Sequence, residues 1–403
     1  MRLCVIGLRG APNVMGGIET HCENLYPELK RLDDSLDITI IARRGYAPAA
    51  EFAGVRVRPL WAPRGKGVET LVHTPLALIY ARLFIHPDIV HLHGVGPSFF
   101  APMARVLGFR TICTHHGADY ERPKWRLAGR AFLRAGEQMM ARFADEIVCV
   151  SEGGARRVRA LAKRAARHSE VIRNGAPPPP PEAHADKQIL DRLGLRPKAY
   201  ILTVGRIDPT KRFQDLIAAF KKATPRGQKL VIVGASQTDD LYARALQAQA
   251  CESIVFAGYQ NAATLRLLYQ NAALFVLASC IEGSPLVALE AMSAGAPVLL
   301  SNIEANEEFG LEPHNYFRVR DVSALAQKLS ADSYDIYRSA CAASILREST
   351  WDEIARRHLR LLRRISARPA HFTEADAFAW ARSLGGRRAP ARASAARKTR
   401  ERA

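Results

Sequence analysis

The segment 273-ALFVLASCIEGSPLVALEAMSAGAPVLLS-301 decides the fold class, because it contains a complete strand, loop, helix and second strand. Its first seven residues form a short, continuous apolar run, which is typical of a strand buried on both faces of a parallel sheet. Ser284 and Pro285 favour a helix start, with Ser284 as the cap, and Gly295 favours its end. The pattern predicts a parallel α/β sheet.

Two glutamates in this segment, Glu282 and Glu290, suggest what the sheet edge binds. A helix that begins at the carboxyl edge of a parallel sheet offers free N–H groups and a positive dipole end, which favour phosphate. Glu282 would lie in the loop at that edge, and Glu290, about two helical turns further on, could reach hydroxyl groups beside the helix. The segment therefore predicts a site for a ligand with phosphates and several hydroxyls.

The rest of the chain repeats the same alternation in two blocks. Strand-like runs occur at 3–7, 38–42, 89–94, 111–117 and 147–151, and again at 200–205, 230–234, 254–258, 273–279 and 297–301. Between the blocks, 171-VIRNGAPPPPPEAH-184 contains five prolines, which favour a linker. We expect two parallel α/β domains facing across a cleft, with bounds 1–173 and 197–350, a linker region at 174–196, a terminal helix at 351–365 and a disordered basic tail at 366–403.

Each domain opens with a glycine-bearing loop after its first strand. In 7-GLRGAPNVMGGIE-19, Gly16 and Gly17 either let a phosphate approach the backbone or form a simple turn. The loop lacks GxGxxG, and 43-RRG-45 stands where a dinucleotide site needs an acidic residue, which argues against an NAD enzyme. In 205-GRIDPTKR-212, Arg206 and Lys211 are two cations suited to a diphosphate.

Composition favours a reduced, cytosolic protein with an anionic partner. The seven cysteines form no CxxC pair, the N-terminus lacks a signal-peptide pattern, and Arg82 interrupts the longest apolar run, 74–85.

Of the net charge of +19, about seven belong to residues 382–403. Two basic segments, 122-RPKWRLAGRAFLRAGEQMMAR-142 and 156-RRVRALAKRAAR-167, are either solvated helix faces or docking sites for anionic lipid, and the absence of a known module argues against nucleic acid.

Seven short motifs in order give a resemblance to a known family. They are Gly-Gly-Ile-Glu at 16–19, Thr-His-His-Gly at 114–117, Val-Ser-Glu at 150–152, Asn-Gly at 174–175, Gly-Arg and Lys at 205–211, Phe-x-Gly at 256–258, and Glu-Gly-x-Pro with Leu-Glu-Ala-Met at 282–292. The chain from Met1 to about Ile365 resembles the family-4 glycosyltransferases of GT-B fold, which are retaining enzymes that use nucleotide sugars. In that fold the terminal helix, here 351–365, returns to the first domain.

The resemblance implies a role for each motif residue. Glu290 would bind the donor ribose, and Glu282 and His116 would face the transferred sugar. Arg206, Lys211 and the backbone N–H groups of Leu286 and Val287 would hold the diphosphate, over which Gly16 and Gly17 would close. Tyr259 and Gln260 would lie at the base, and Gly283 and Ser284 in the donor loop. Many members have Phe at the position of Ser284, which changes the shape of the sugar pocket. His115 is expected to be structural, and His93 is either functional or structural.

The expected activity is sugar transfer from a nucleoside-diphosphate sugar without a metal or other cofactor, since the sequence has no Asp-x-Asp pair. By family analogy and the basic surface, we expect a lipid-linked glycan acceptor in surface polysaccharide synthesis, at the inner face of a bacterial cell membrane. The alternatives are a soluble sugar or sugar-phosphate acceptor on the same fold, and a non-catalytic basic protein that binds lipid or nucleic acid.

Overall fold

The first domain is built on an eight-stranded sheet. The computed structural model describes residues 1–368 except Arg64, Lys66, 178–187, Arg226 and 237–240. The sheet order is β3-β4-β2-β1-β5-β6-β7-β8, and all of its pairs are parallel except β3 with β4. Its strands are β1 Arg2–Ile6, β2 Asp37–Arg43, β3 Glu51–Phe52, β4 Val55–Leu60, β5 Ile89–His93, β6 Arg110–His115, β7 Glu146–Cys149 and β8 Ser169–Val171.

The second domain has a six-stranded parallel sheet in the order β11-β10-β9-β12-β13-β14. Its strands are β9 Tyr200–Val204, β10 Lys229–Val233, β11 Ile254–Gly258, β12 Leu274–Leu277, β13 Val298–Ser301 and β14 Tyr316–Phe317. All ten predicted strands are present. Strand β4, with sequence VRVRPL, did not fit a continuous apolar run because Arg56 and Arg58 alternate with its buried valines.

Helices cover both sheets, and each domain has its own apolar core on both faces of its sheet. The first domain contains α1 Gly17–Leu32, α2 Val68–Tyr80, α3 Val95–Ser98, α4 Ala101–Val106, α5 Leu127–Phe143, α6 Glu152–Leu161 and α7 Lys163–Arg167. The second contains α8 Gln188–Arg192, α9 Phe213–Ala223, α10 Leu241–Gln247, α11 Ala262–Asn271, α12 Leu286–Ser293, α13 Glu304–Glu307, α14 Val322–Leu329 and α15 Ala342–Glu348. Short 3-10 turns occur at Asp119–Glu121, Pro209–Lys211, Pro313–Asn315 and Tyr334–Tyr337.

The final helix, α16 Trp351–Ser366, returns to the first domain as predicted. Its buried apolar face, which includes Trp351 and Leu362, shares one core with Leu25 and Leu29 of α1. Gly175 allows this return, because a Cβ there would lie 2.4 Å from the Trp351 ring. The GT-B architecture predicted from the sequence is therefore confirmed.

The predicted linker, 174–196, is shorter in the structure. Leu190 and Leu195 are buried in the core of the second domain, so the residues from 188 onward belong to that domain. At the other end, Ala176 forms a parallel bridge with Thr350. Most of the proline run and nearly all of the predicted tail, from 369 onward, lie outside the described residues.

One described helix is long and apolar enough for a membrane span by length and composition. Helix α2 continues through a π-helical turn, Ala81–Ile85, to give an 18-residue helix with mean hydropathy 1.3. Arg82, which breaks the apolar run in the sequence, lies within this continuous helix. His73, Ala77 and Leu78 on one side are buried in the first domain, so the helix is also part of that domain's core.

Candidate active site

The loop and helix that carry the two glutamates lie at the carboxyl edge of the second sheet. Strand β12 ends at Leu277, and helix α12 begins at Leu286 with Pro285 as its N-cap. The prediction that Ser284 caps this helix is wrong; its carbonyl instead accepts a hydrogen bond from Asn174 Nδ2 at 2.7 Å. The backbone N–H groups of Leu286 and Val287, in the first helical turn, have no intrahelical acceptor and can serve an anion.

Lys211 and Glu282 meet at this edge. Lys211 ends the 3-10 turn after β9, where Asp208 Oδ1 accepts a hydrogen bond from Thr210 N at 2.9 Å. This capped turn orients Lys211 so that its Nζ lies 2.5 Å from Glu282 Oε1. The two side chains are only 14% and 9% exposed. The structure thus brings two residues 71 positions apart into a single ion pair.

Arg206 is affected by the charge of an arginine from the other domain. Burial lowers the pKa of Arg206, and the positive charge of Arg122 lowers it further. Burial alone would lower the pKa of Arg122. The negative charges of Asp119, Glu282 and Asp208 have the larger effect and raise it. Asp119 is close, with its Oδ1 2.9 Å from Arg122 Nε. An anion bound near both arginines would relieve the repulsion between their charges.

Arg122 acts on two candidate site residues, Glu282 and Arg206, although its sequence pattern indicated a basic surface segment. The signal that could have found it is its place shortly after Thr-His-His-Gly, in the loop at the carboxyl end of β6. Loops at this edge of a parallel sheet usually contribute to the ligand site. Arg9 was missed in the same way: it follows β1, and its charge also acts on Arg206.

Glu290 lies inside α12, directed toward α11. Its Oε2 accepts a hydrogen bond from the Tyr269 hydroxyl at 3.0 Å. Burial raises the pKa of the Glu290 carboxyl above its ordinary value, although Tyr269 and the charge of Arg266 oppose the shift. The Tyr269 hydroxyl occupies only one of the several acceptor positions of the carboxylate. Glu290 can therefore accept further hydrogen bonds.

The two domains touch where their site loops meet. A Cβ on Gly283 would lie 2.0 Å from the His116 carbonyl oxygen, and a Cβ on Gly117 would lie 3.3 Å from Gly283 Cα. Only glycine allows this approach, which places His116 of the first domain beside the loop that carries Glu282. His116 and Glu282, assigned to one sugar, thus lie on neighbouring loops.

The adjacent histidines at the end of β6, His115 and His116, have different surroundings. His115 is buried, and its Nε2 lies 2.9 Å from Glu137 Oε1, in agreement with a structural role. His116 is partly exposed, and its Nε2 lies 2.9 Å from Nδ1 of the fully buried His93. Burial lowers the pKa of His93 and His116 well below the ordinary value, so both rings are neutral at pH 7. The 2.9 Å contact with the buried His93 fixes the orientation of the His116 ring.

The remaining predicted residues are less closely grouped. Gly16, with φ 157°, caps α1, and a Cβ there would lie 2.0 Å from Glu19 Oε2, whereas a Cβ on Gly17 would contact nothing within 4 Å. Tyr259, 51% exposed, follows the edge strand β11. Gln260 makes a local hydrogen bond from Nε2 to the Ala257 carbonyl at 2.5 Å. Among the described residues, no hydrogen bond or ion pair joins these last two residues to the Lys211–Glu282 pair.

Comparisons with known proteins agree with this architecture. Residues 15–178 match Glycosyltransferase Family 4, and residues 187–330 match Glycosyl transferases group 1. An uncharacterised glycosyltransferase of Methanocaldococcus jannaschii is 26% identical over 320 residues, which cover 75% of this chain and 81% of that protein. The GDP-mannose:cellobiosyl-diphosphopolyprenol alpha-mannosyltransferase of Komagataeibacter xylinus is 29% identical over 309 residues, or 73% of each chain.

Solved structures give the same fold. Sucrose-phosphate synthase from Thermosynechococcus elongatus superposes with a TM-score of 0.74 and 20% identity, covering 91% of this chain and 99% of that one. Anabaena HepE in complex with UDP-glucose superposes with a TM-score of 0.70 and 16% identity, covering 90% and 98%. Together the two domain matches, the ordered motifs and the GT-B fold show that the chain belongs to the family-4 glycosyltransferases.

Proposed function

We propose that the protein is a retaining, metal-independent glycosyltransferase that moves a sugar from a nucleoside-diphosphate sugar to a lipid-linked glycan acceptor at the inner face of the cell membrane. The observation that carries the donor half is the group of cations around the Lys211–Glu282 pair at the start of α12. The acceptor half depends on an exposed apolar surface beside a basic helix.

The donor is assigned to the carboxyl edge of the second sheet. A diphosphate would be bound by the charged side chains of Arg206 and Lys211 and by the free N–H groups at the start of α12. These N–H groups lie at the positive end of the helix dipole. Glu290 suits the ribose hydroxyls, since its carboxyl projects from α12 toward α11 and can accept hydrogen bonds besides the one from Tyr269. The UDP-glucose complex of HepE, which has the same fold, supports this class of ligand.

The chemistry follows from the charge that develops on the leaving group. As the bond from the sugar to the diphosphate breaks, negative charge grows on the β-phosphate, and Arg206, Lys211 and the helix N-terminus would stabilise it. Glu282 and His116 would hold the sugar. The acceptor hydroxyl would attack from the leaving-group side, which retains configuration. Cationic side chains perform the neutralisation that other transferases assign to a metal.

The acceptor assignment begins with an exposed apolar ridge on α2 and its extension. The ridge consists of side chains that are all more than a third exposed: Trp61, Val68, Leu71, Leu76, Ile79, Leu83 and Phe84. Six of these residues lie along one helix, and Trp61 precedes it. A row of large exposed apolar side chains is typical of a surface that binds a membrane or a partner. Because the opposite side of α2 is buried in the domain core, the ridge suits a helix that lies on a bilayer rather than across it.

A basic face borders the ridge. Trp125 lies at the junction, since a Cβ on Gly67, just before α2, would be 3.2 Å from its ring. Beyond Trp125, the exposed residues of α5 and its N-cap include Arg126 and Arg134. Apolar residues that enter the lipid and arginines that meet anionic headgroups are the two parts of an interfacial anchor.

The second basic segment, 156–167, is partly neutralised. Arg156 pairs with Glu304, Arg157 with Glu121 at 2.7 Å, and Arg164 with Asp145 at 3.0 Å. These pairs engage three of its six cations. We therefore base the lipid-docking hypothesis on the ridge and the α5 face.

A soluble acceptor is the second candidate. Arg122 in the cleft would suit an acceptor phosphate, and a sugar phosphate carries one as readily as a lipid diphosphate does. Sucrose-phosphate synthase, with a TM-score of 0.74 to this chain, shares the fold. The two acceptor classes differ in the need for a membrane surface.

A two-step experiment tests the proposal. First, the purified protein is screened by thermal shift against UDP, GDP and dTDP; a nucleotide at 100 times its Kd should stabilise the fold by roughly 2.7 kcal/mol. The matching nucleotide sugar is then supplied with anionic vesicles that contain lipid-linked glycan, or with soluble sugars and sugar phosphates. Labelled sugar in the lipid fraction is the expected result, and labelled soluble product would favour the second candidate.

A further inference from the structure

Three histidines of the first domain converge at the base of the cleft. His21 of α1, His93 at the end of β5 and His116 just after β6 each offer a ring nitrogen, and these three atoms lie within 4.8 Å of one another. His21 and His93 are fully buried, and His116 is partly exposed to the cleft. The donor assignment uses only His116, so two of the three imidazoles have no part in it.

The hydrogen bonds of His21 leave one nitrogen bare. Asn174 Nδ2 donates to the Ser284 carbonyl at 2.7 Å, so its Oδ1 is the acceptor. Oδ1 lies 2.9 Å from His21 Nδ1, and the network therefore assigns the proton to Nδ1. His21 Nε2 is then an unprotonated lone pair that is fully buried and has no hydrogen-bond partner among the described residues. A buried acceptor without a donor is costly, and a bound ion would satisfy it.

His93 is held by a partner on its far side. Its Nε2 lies 2.5 Å from the Tyr26 hydroxyl, which also lies 2.9 Å from His91 Nδ1. His93 can therefore direct its Nε2 proton to Tyr26 and leave the Nδ1 lone pair facing His116. Histidine ligands of metals usually have such a partner, which fixes the tautomer and the ring orientation. His21 has Asn174 in the same position.

From this arrangement we infer that His21, His93 and His116 form a binding site for a divalent transition metal such as Zn²⁺ or Co²⁺. Bonds of about 2.1 Å in a tetrahedron place the ligand nitrogens about 3.4 Å apart. The present nitrogens lie within 4.8 Å of one another, so each separation would change by at most about 1.4 Å on binding. The site has three imidazoles and no carboxylate, which suits these metals and does not suit Mg²⁺. Solvent from the cleft can fill the fourth position beside His116.

The site is separate from the neutralisation of the diphosphate. The cations assigned to the diphosphate, Arg206 and Lys211, lie in the second domain, whereas the three histidines lie in the first. A metal on His116 would replace its 2.9 Å contact with His93. If the proposed role of His116 at the sugar holds, added Zn²⁺ should inhibit transfer; metal binding itself does not depend on that role.

The test uses the full chain, freed of metal with EDTA, dialysed and titrated with Co²⁺ alone. We expect one equivalent to bind, with the visible absorption of four-coordinate Co²⁺ and with competition by Zn²⁺. His21→Gln and His116→Ala should each remove the absorption. Asn174→Ala, which releases the His21 ring, should weaken binding by about 10-fold to 100-fold. The matched control is His73→Gln, a buried histidine of the same domain outside the cluster, which should bind as the wild type does.

The outcomes separate clearly. His116 is partly exposed, so His116→Ala should keep the wild-type melting curve and serve even if His21→Gln fails to fold. Absence of stoichiometric binding, or equal binding by wild type and His116→Ala, would overturn the inference. Loss of binding in His73→Gln with a normal fold would do the same. Failure of the transferase proposal leaves these readouts unaffected, since none uses a sugar substrate.

Discussion

Lys211 Nζ lies 2.5 Å from Glu282 Oε1, so a cation from the loop after β9 and a carboxylate from the loop before α12 neutralise each other at the donor edge. Both side chains are more than four-fifths buried, so salt in the solvent screens their attraction only weakly. A diphosphate that enters this edge would share Lys211 with Glu282. We infer that the pair keeps Lys211 in place before the donor arrives.

Removal of either donor cation should reduce turnover much more than it reduces folding stability. Arg206→Ala and Lys211→Ala should each lower kcat by about 100-fold to 1,000-fold, because the phosphate charge that they meet grows in the transition state. Steady-state kinetics and thermal melts measure the two effects. Lys221→Ala, an exposed lysine on α9, is the matched control and should change neither.

Chelation should leave this chemistry unchanged. If side chains neutralise the diphosphate, EDTA should alter the wild-type rate little. Strict dependence on added Mg²⁺ would contradict the assignment of Arg206 and Lys211.

Glu290 should contribute to nucleotide affinity. Glu290→Ala should weaken binding by about 1.5–3 kcal/mol, the usual value for hydrogen bonds to a charged group. Calorimetric titration with the nucleoside diphosphate measures the loss. Tyr269→Phe is the control: it removes the 3.0 Å hydrogen bond to Glu290 and keeps the carboxylate, so its effect should be smaller. Unchanged affinity in Glu290→Ala would reject the ribose assignment.

Burial of His73 should make the protein less stable in acid. Burial and the charge of Arg43 lower the pKa of His73 to about 4, against about 6.5 in the unfolded chain. The unfolded state therefore takes up a proton first as the pH falls below 6.5, and stability is lost until the pH reaches the folded value. Between pH 7 and pH 5 this single residue should remove roughly 2 kcal/mol of unfolding free energy.

The measurement is urea unfolding at both pH values. His73→Gln, which cannot titrate, should show a decrease smaller than the wild type by that amount. The other buried histidines remain in both proteins and cancel in the comparison. An equal decrease in the two proteins would show that His73 is already protonated in the fold at pH 5.

Local patterns were sufficient to predict the fold. Runs such as 273–279 and 200–204 are continuously apolar because both faces of their sheets are covered, and ten strands could be located by this property. Strand β4 could not, since one of its faces meets solvent and carries Arg56 and Arg58. Helix α8 was assigned to the linker because the neighbouring prolines dominated the local composition, although Leu190 and Leu195 are buried in the second core.

The site was only partly predictable. Glu282, Lys211, Arg206 and Glu290 could be named because each lies in a motif at the carboxyl end of a strand. Arg122 and Arg9 could not, since their role arises from charges that meet across the cleft and leave no local pattern. The partners of His116 were hidden for the same reason: His21 and His93 are separated by 72 positions in sequence, and only the pairing of β1 with β5 brings them to one edge.

The apolar ridge should govern attachment to membranes. If α2 and its extension lie on an anionic leaflet, the protein should sediment with anionic vesicles and remain free of neutral ones, and raised salt should release it. Leu83→Ser with Phe84→Ser should weaken binding by about 1.5 kcal/mol or more, because these side chains are 60% and 69% exposed and would enter the lipid. Ile336→Ser, at a 55% exposed position in the second domain, is the matched control.

Deletion of residues 382–403 should weaken vesicle binding only in part. These residues hold about seven of the nineteen excess positive charges, each contributing about 1 kcal/mol near an anionic surface, and the attraction decays within a Debye length. They contain no aromatic side chain to enter the lipid, whereas the ridge has Trp61 and Phe84. Complete loss of binding on deletion would place the docking surface in the tail. Indifference of the intact protein to both kinds of vesicle would instead favour the soluble acceptor.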